Sequence, residues 1–241
     1  MTRNEMVLER GEERKAYVTK MFNAIAHRYD FLNHLLSGGI DIYWRKKAIS
    51  KLEVESNDLV LDLACGTGDF AIEAFNQKKC RVVGTDIAQR MLVFGQEKLI
   101  KKNITDKIFY ANGDGEALPF GAQQFQGVTI AFGIRNMGSV QAALTEMNRI
   151  LSKNGQAIIL EFSLPTNKLF RQLYQFYFNH ILPVIGRLVS KDHQAYTYLP
   201  ASVEKFPAIN EFEDWMKDAG FKQVAYWKLL NGVAVIYRGT K

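Results

Sequence analysis

Two hydrophobic rhythms divide this chain. From about Glu13 to Ser50 the pattern is helical, carrying Tyr17, Phe22, Tyr29, Phe31, Tyr43 and Trp44, and Gly38-Gly39 breaks it into two parts. Short apolar runs then alternate with helical stretches. Leu59–Leu63 reads as a buried strand, Phe70–Asn76 as the start of a helix, Arg81–Asp86 as a second strand and Gln89–Lys101 as a helix. Lys107–Ala111 and Gly127–Phe132 are the third and fourth strands, Val140–Leu151 is amphipathic, and Ala157–Glu161 is the fifth strand. Such alternation predicts a doubly wound parallel sheet with helices on both faces. The end of the chain departs from it. After a helix over Glu211–Ala219 and a break at Gly220, the strands Gln223–Leu229 and Val233–Tyr237 are separated only by Leu230-Asn231-Gly232. No crossover helix fits there, so these two pair antiparallel and complete a seven-stranded, mostly parallel sheet.

The pattern implies an N-terminal helical lid over residues 1–50 and a main domain over 51–241, with a Tyr- and Phe-rich insertion at about 165–207. Within it, Lys168 to Leu182 is apolar nearly all round a helical circumference, which suits either a buried helix or a wall against a greasy ligand. The length and the 47% apolar composition allow a real core. Cys65 and Cys80 make no metal spacing, and a reduced, cytoplasmic setting is the simplest expectation. The first residues lack the apolar core of a signal peptide, and the most apolar stretch, Leu169 to Val189, is interrupted by Arg171, Asn179, His180, Pro183 and Arg187. The net charge of +6 is spread in small groups such as Arg45-Lys46-Lys47 and so selects no partner by itself.

Candidate chemistry begins at LVLDLACGTGDF, residues 59–70. Gly66 and Gly68 permit a sharp turn and close approach of a ligand, and the following helix offers free N–H groups. With Ala71 the spacing also satisfies G-x-G-x-x-A, so a dinucleotide site stays open at this point. Asp86 ends the second strand twenty residues after Gly66, placed to accept from both hydroxyls of a ribose or, more plainly, to cap a helix. Beyond the third strand, Asp114 is placed to accept from an adenine amino group, with Gly115 leaving room for the ring; a surface turn is the alternative. Asp62 within the first strand can hold the glycine loop or meet an ammonium, and Asp69 follows the second glycine. This acidity repels a pyrophosphate and tolerates a zwitterion carrying a sulfonium. Together with the antiparallel end and the lack of a second domain, it favours S-adenosylmethionine and methyl transfer over a nicotinamide-dependent oxidoreductase.

Several further motifs narrow the reaction. Tyr29-Asp30-Phe31-Leu32-Asn33-His34-Leu35-Leu36-Ser37 followed by Trp44 resembles the N-terminal signature of the ubiquinone/menaquinone biosynthesis C-methyltransferases. So do Leu61 to Asp69, Glu116-Ala117-Leu118-Pro119-Phe120, Phe132-Gly133-Ile134-Arg135-Asn136, Asn148-Arg149-Ile150-Leu151, Leu160-Glu161-Phe162-Ser163, Ala195 to Leu199, Asp218-Ala219-Gly220-Phe221 and Tyr237-Arg238-Gly239. The resemblance spans roughly residues 15 to 240. Leu32 stands where the family usually has Met, Asp41 where it has His, and Asn154 where a Lys-Pro-Gly turn is common; Asp41 therefore receives no catalytic role.

The resemblance implies a class I S-adenosylmethionine-dependent methyltransferase fold, Rossmann-like, and methylation of a ring carbon of a prenylated quinol. It carries Thr67, Asp86, Asp114 and Gly115 over as cofactor residues, supported by Gly66, Gly68 and Asp62. Some members place a contacting Ser at position 131, so Ala131 keeps only a backbone or packing contact. Arg135 is expected to stabilise the quinolate directly or through a water, with Asn136 orienting it, and Tyr29 to bond the quinol oxygen or that water; the alternatives are an Arg paired with a carboxylate and a packed aromatic. No metal is required. The expected acceptor is demethylmenaquinol, with a methoxybenzoquinol of ubiquinone synthesis as the runner-up. Peripheral contact with an anionic membrane on its inner face fits the basic surface, a homo-oligomer is allowed, and no nucleic acid is expected, although an RNA-directed enzyme or a non-catalytic module on the same sheet is the remaining alternative.

Overall fold

A computed structural model describes residues 11–165 and 194–241, together with positions 167, 171, 172, 174 and 176. The expected aromatic helix over Lys168 to Leu182 falls almost wholly outside the described residues. The chain opens with α1 (Glu12–Ile25), a 3-10 turn (Ala26–Arg28), α2 (Tyr29–Ser37) and α3 (Ile40–Ile49). The sequence predicts one break in this region, and the structure has two. The Gly38-Gly39 break is present, both glycines being left-handed. The additional tight turn at Ala26–Arg28 redirects the chain so that Tyr29 starts a new helix.

Then come β1 (Leu59–Leu63), α4 (Asp69–Lys78), β2 (Arg81–Asp86), α5 (Gln89–Lys102), β3 (Ile108–Asn112), β4 (Phe125–Ala131) and a 3-10 turn (Ile134–Asn136). They are followed by α6 (Val140–Ile150), β5 (Leu151–Phe162), α7 (Gln194–Glu204), α8 (Ile209–Asp218), β6 (Lys222–Leu229) and β7 (Ala234–Thr240). The sheet has seven strands in the order β3-β2-β1-β4-β5-β7-β6. β1 to β5 pair in parallel, whereas β7 is antiparallel to both β5 and β6, as the short tail connection required. β5 starts six residues before the predicted Ala157, because Leu151 already pairs with Phe125. Lys153-Asn154-Gly155 is therefore a bulge inside the strand, with Asn154 left-handed.

Each face of the sheet is covered by helices whose apolar positions recur one turn apart. On one face Val60 and Val82 pack with Trp44, Ala48 and Ile49 of α3, Phe70 and Ala74 of α4, and Leu99 of α5. On the other, Leu61, Leu63 and Ile159 meet Leu144 and Met147 of α6 and Phe212 and Met216 of α8. The side chain of Ser139 starts α6 by accepting from Ala142 N at 3.2 Å, satisfying one of the helix's free donors. Burial on both faces explains why the strands read as nearly unbroken apolar runs. It also makes any charged residue inside them conspicuous.

Candidate active site

β1, β2 and β3 are neighbours in register, so the turns that follow them open on one edge of the sheet. At β1 the chain enters a tight turn in which Gly68 N donates to Cys65 O at 2.8 Å. Gly66 is left-handed there, and its N–H donates to Asp86 Oδ2 at 2.8 Å. Asp86 Oδ1 accepts from Ala88 N at 2.7 Å, so the carboxylate ties the glycine turn to the start of α5 as well as facing the cavity. Burial pushes the Asp86 carboxyl up to about 6, against these two donors. The cavity at this edge is lined by five of the predicted cofactor residues: Gly66, Asp86, Asp114, Gly115 and Ala131.

Three other predicted cofactor residues do not reach it. Asp62 is fully buried within the sheet, where its Oδ1 accepts from Thr129 Oγ1 at 2.8 Å. Burial pushes its carboxyl up to about 7. Thr67 turns its hydroxyl to Asp30 and Lys98. Gly68 is needed for a neighbour: a Cβ there would fall on the Tyr110 hydroxyl. The same ring excludes a Cβ at Gly84 and at Gly95, at 2.6 and 2.8 Å. Three glycines thus make a slot for one tyrosine. The acidity expected to repel a pyrophosphate also sits elsewhere, since Asp69 is neutralised by Lys98 at 2.6 Å. Within the cavity the carboxylates are Asp86, Asp114 and Glu116, with Lys15 as counter-charge. Lys15 Nζ lies 2.7 Å from Asp114 Oδ2 and keeps the cavity narrow, at about 70 Å³. Its donor and acceptor set suits ribose hydroxyls and an amino group, and three carboxylates against one lysine disfavour a pyrophosphate.

Beside it lies a second cavity of about 560 Å³. Its lining is chiefly apolar, drawn from α1, α2, α3, β5, α7 and the β6–β7 turn. The two cavities share Phe22, Tyr29 and Phe132. Tyr29 therefore stands between them, within 3.6 Å of where a Cβ on Gly66 would be. Burial pushes its hydroxyl up, so it remains a donor.

Arg135 lines the larger cavity and combines both roles weighed for it. Its Nη1 donates to Glu161 Oε1 at 2.6 Å and to Phe132 O at 2.7 Å, and its Nε donates to Ser202 Oγ at 3.3 Å. Glu161 is completely buried in β5. Nη2 of Arg135 has no partner among the described residues. Asn136 lines the smaller cavity, where its Oδ1 accepts from Tyr198 at 3.0 Å. Tyr198 itself lines the larger one.

Sequence reasoning missed Glu161, Lys15, Asp41, Arg45 and Tyr198. A carboxylate inside an apolar strand was the available signal for Glu161. The i, i+4 spacing was the signal for Asp41 and Arg45. Lys15 and Tyr198 meet the site only through packing between distant segments.

The ubiE/COQ5 methyltransferase family model matches residues 9–241. The chain is 44% identical over 235 residues to the ubiquinone/menaquinone biosynthesis C-methyltransferase UbiE of Geotalea uraniireducens, covering 97% of this chain and 98% of that one. It is 41% identical over 226 residues to the demethylmenaquinone methyltransferase of Porphyromonas gingivalis, covering 93% and 92%. Among solved structures, an S-adenosylmethionine-dependent methyltransferase of Thermotoga maritima superposes with TM-score 0.65 at 19% identity, over 92% of this chain and 98% of that one. The [4+2]-cyclase SpnF does so with TM-score 0.64 at 12% identity, over 93% and 94%. Those likenesses establish the class I, Rossmann-like architecture, and the cyclase shows that architecture alone does not choose a reaction. Sequence similarity across nearly the whole chain supplies what the fold leaves open: the chain belongs to the ubiE/COQ5 methyltransferase family.

Proposed function

We propose that this chain transfers the methyl group of S-adenosylmethionine to a ring carbon of a prenylated quinol, converting demethylmenaquinol to menaquinol. The observation that carries this reading is the shared wall: a polar cavity at the strand ends and a large apolar cavity meet at Phe22, Tyr29 and Phe132. Asp86 and Asp114 would hold the ribose and the adenine amino group, with the Gly66 turn, Gly115 and Ala131 against them; occupancy requires Lys15 to release Asp114. When bound, the cofactor supplies an electrophilic methyl group.

The quinol carbon becomes a nucleophile as a neighbouring hydroxyl loses its proton and charge spreads into the ring. Arg135 is built for that moment. Glu161 fixes one edge of the guanidinium, leaving Nη2 to meet the developing quinolate. Tyr29 donates a hydrogen bond from the wall between the cavities, while Asn136, held by Tyr198, orients the acceptor. The apolar lining excludes water, which strengthens these interactions and protects the reacting carbon. Residues 11–50 serve as the cover, with α1 and α2 contributing to both cavities.

The cavity also suits a lipid-borne substrate. Around it Phe31, Leu35, Ile42 and Tyr43 are exposed on α2 and α3, next to Lys46 and Lys47. No helix of the described residues is long and apolar enough to cross a membrane. Surface contact with anionic lipid on the cytoplasmic face is therefore the mode proposed. Co-sedimentation with anionic vesicles at low salt tests it, and failure to pellet there would remove it.

A methoxybenzoquinol acceptor is the second reading, favoured by the double name of the Geotalea relative. Quinone profiling of a deletion strain separates the two. Accumulated demethylmenaquinone supports the first; accumulation of the unmethylated benzoquinone alone supports the second.

A further inference from the structure

The larger cavity contains a second buried arginine that the proposed reaction has not used. Arg45 and Asp41 lie one turn apart on α3, both buried and both lining the cavity. Asp41 is saturated: its carboxylate accepts from Ser37 Oγ at 2.6 Å, from His34 Nδ1 at 3.0 Å and from Arg45 Nη1. Burial acts to raise the Asp41 carboxyl, but Ser37 and Arg45 overcome it and hold the group below its usual range. Asp41 is thus an anchor and not a proton acceptor. Arg45, by contrast, is half used. Its Nε and Nη2 have no partner among the described residues, and its guanidinium lies 5.7 Å from the centre of the Phe132 ring. Phe132 is part of the wall between the cavities.

This arrangement repeats that of Arg135, whose guanidinium lies 5.3 Å from the Phe162 ring and is fixed by its own buried carboxylate, Glu161. Phe132 and Phe162 are themselves stacked, 4.4 Å between centres. Two carboxylate-anchored guanidiniums therefore flank one aromatic pair in a cavity that is otherwise mostly apolar. The positive charge of both is felt at the Tyr29 hydroxyl. Removing a charge pair from water is costly, and two such pairs gain nothing by facing hydrocarbon alone. A 1,4-quinol has oxygens at opposite ends of its ring: one beside the carbon to be methylated, the other beside the prenyl-bearing carbon.

We infer that Arg45, positioned by Asp41, binds the ring oxygen beside the prenyl-bearing carbon while Arg135 serves the oxygen beside the attacked carbon. The inference rests on the quinol reading above. Arg45 then determines which ring carbon is presented across the Tyr29 wall, and Asp41 is a positioning residue acting through it.

A cycle combining enzyme and substrate changes tests this. Wild type and Arg45→Met are assayed on the prenylated diol and on an analogue in which hydrogen replaces the hydroxyl beside the prenyl-bearing carbon. The expected loss in kcat/KM for Arg45→Met is roughly 10- to 100-fold on the diol, the range for a hydrogen bond to a charged group. On the analogue the loss should be about 2-fold or less, because the partner is already gone. Affinity for S-adenosylmethionine, measured by calorimetry, should not change. If Arg45→Met is too unstable to bind cofactor, Arg45→Lys takes its place, with a smaller loss again confined to the diol. Equal losses on both substrates would overturn this inference and leave the quinol reading standing. A wild-type chain that binds cofactor but methylates neither substrate would overturn the quinol reading, and this inference with it.

Discussion

The two cavities on either side of Phe22, Tyr29 and Phe132 are built by opposite means. The smaller one is made by the ends of neighbouring strands, where short turns present backbone N–H groups and carboxylates at fixed spacings. The larger one is made by the consecutive helices α1, α2 and α3 together with the distant α7, β5 and β6–β7 turn, and its cationic groups are arginines locked by buried carboxylates. On the proposed reading the first recognises a small polar ligand through local geometry, and the second holds a greasy one through packing and two fixed cations. A change on one side should therefore spare the ligand of the other.

The strongest test of that separation is Arg135→Ala. It should slow turnover by roughly 10²- to 10³-fold, the size expected for losing a group that stabilises developing charge. Calorimetry should find the affinity for S-adenosylmethionine within about 2-fold of wild type, since Arg135 does not line the smaller cavity. The buried Glu161 left behind is a cost of about 3–5 kcal/mol, so the melting temperature should fall as well. Unchanged turnover would dissolve the assignment.

Next comes the mirror image. Asp86→Asn should weaken S-adenosylmethionine binding by about 100-fold, consistent with charge-assisted hydrogen bonds to ligand and to Gly66. KM for the quinol should stay nearly fixed. In wild type the Asp86 carboxyl sits at about 6, so cofactor affinity should decline as the pH drops below that value and the acceptor is protonated. Flat affinity from pH 8 to about 5 would contradict this.

A smaller effect concerns the glycine turn. Gly68→Ala should destabilise the fold by about 1–3 kcal/mol in denaturant titrations, because its new methyl meets Tyr110 and its backbone is left-handed. Adding Tyr110→Ala should recover part of that loss relative to the two single changes, a coupling that a purely ligand-directed glycine would not show.

The last test concerns the pH dependence contributed by Asp62. Its carboxyl is raised from 3.8 to about 7 by burial, so in that window the folded state binds more protons than the unfolded one. Stability from this group is therefore greatest at low pH and is lost as the pH rises from about 4 to about 7. Asp62→Asn should flatten that slope in melting-temperature profiles. A slope retained by the variant would place its origin elsewhere.

What could be read from the sequence follows the same division. The strand–turn–helix repeats, the antiparallel end and the cavity positions of Gly66, Asp86, Asp114, Gly115 and Ala131 are local features, each set by spacing within one β–α unit. Asp62, Thr67 and Gly68 belong to the same motif, but a motif does not say which way a side chain points. Tyr110 from another strand fills the space at Gly68, Thr129 of β4 donates to Asp62, and Asp30 and Lys98 from two helices hydrogen-bond to Thr67. Arg135, Asn136 and Tyr29 were named through family resemblance, and Arg135 lines the larger cavity, Asn136 the smaller and Tyr29 both. The pairing of Arg135 with Glu161 needs two parallel strands in register, β4 and β5, which no single segment encodes. Asp41 was set aside because it departs from the family pattern, yet it is the buried anchor of Arg45.

The central claim is that methyl transfer occurs through the Tyr29 wall onto a quinol carbon. Its most direct measurement is incubation of the purified chain with methyl-labelled S-adenosylmethionine and reduced demethylmenaquinone without oxygen, followed by locating the label. The account predicts one labelled methyl per quinol, carried on the ring carbon next to the prenyl group. Label on a quinol oxygen, or none on the quinol while the cofactor binds, would contradict it.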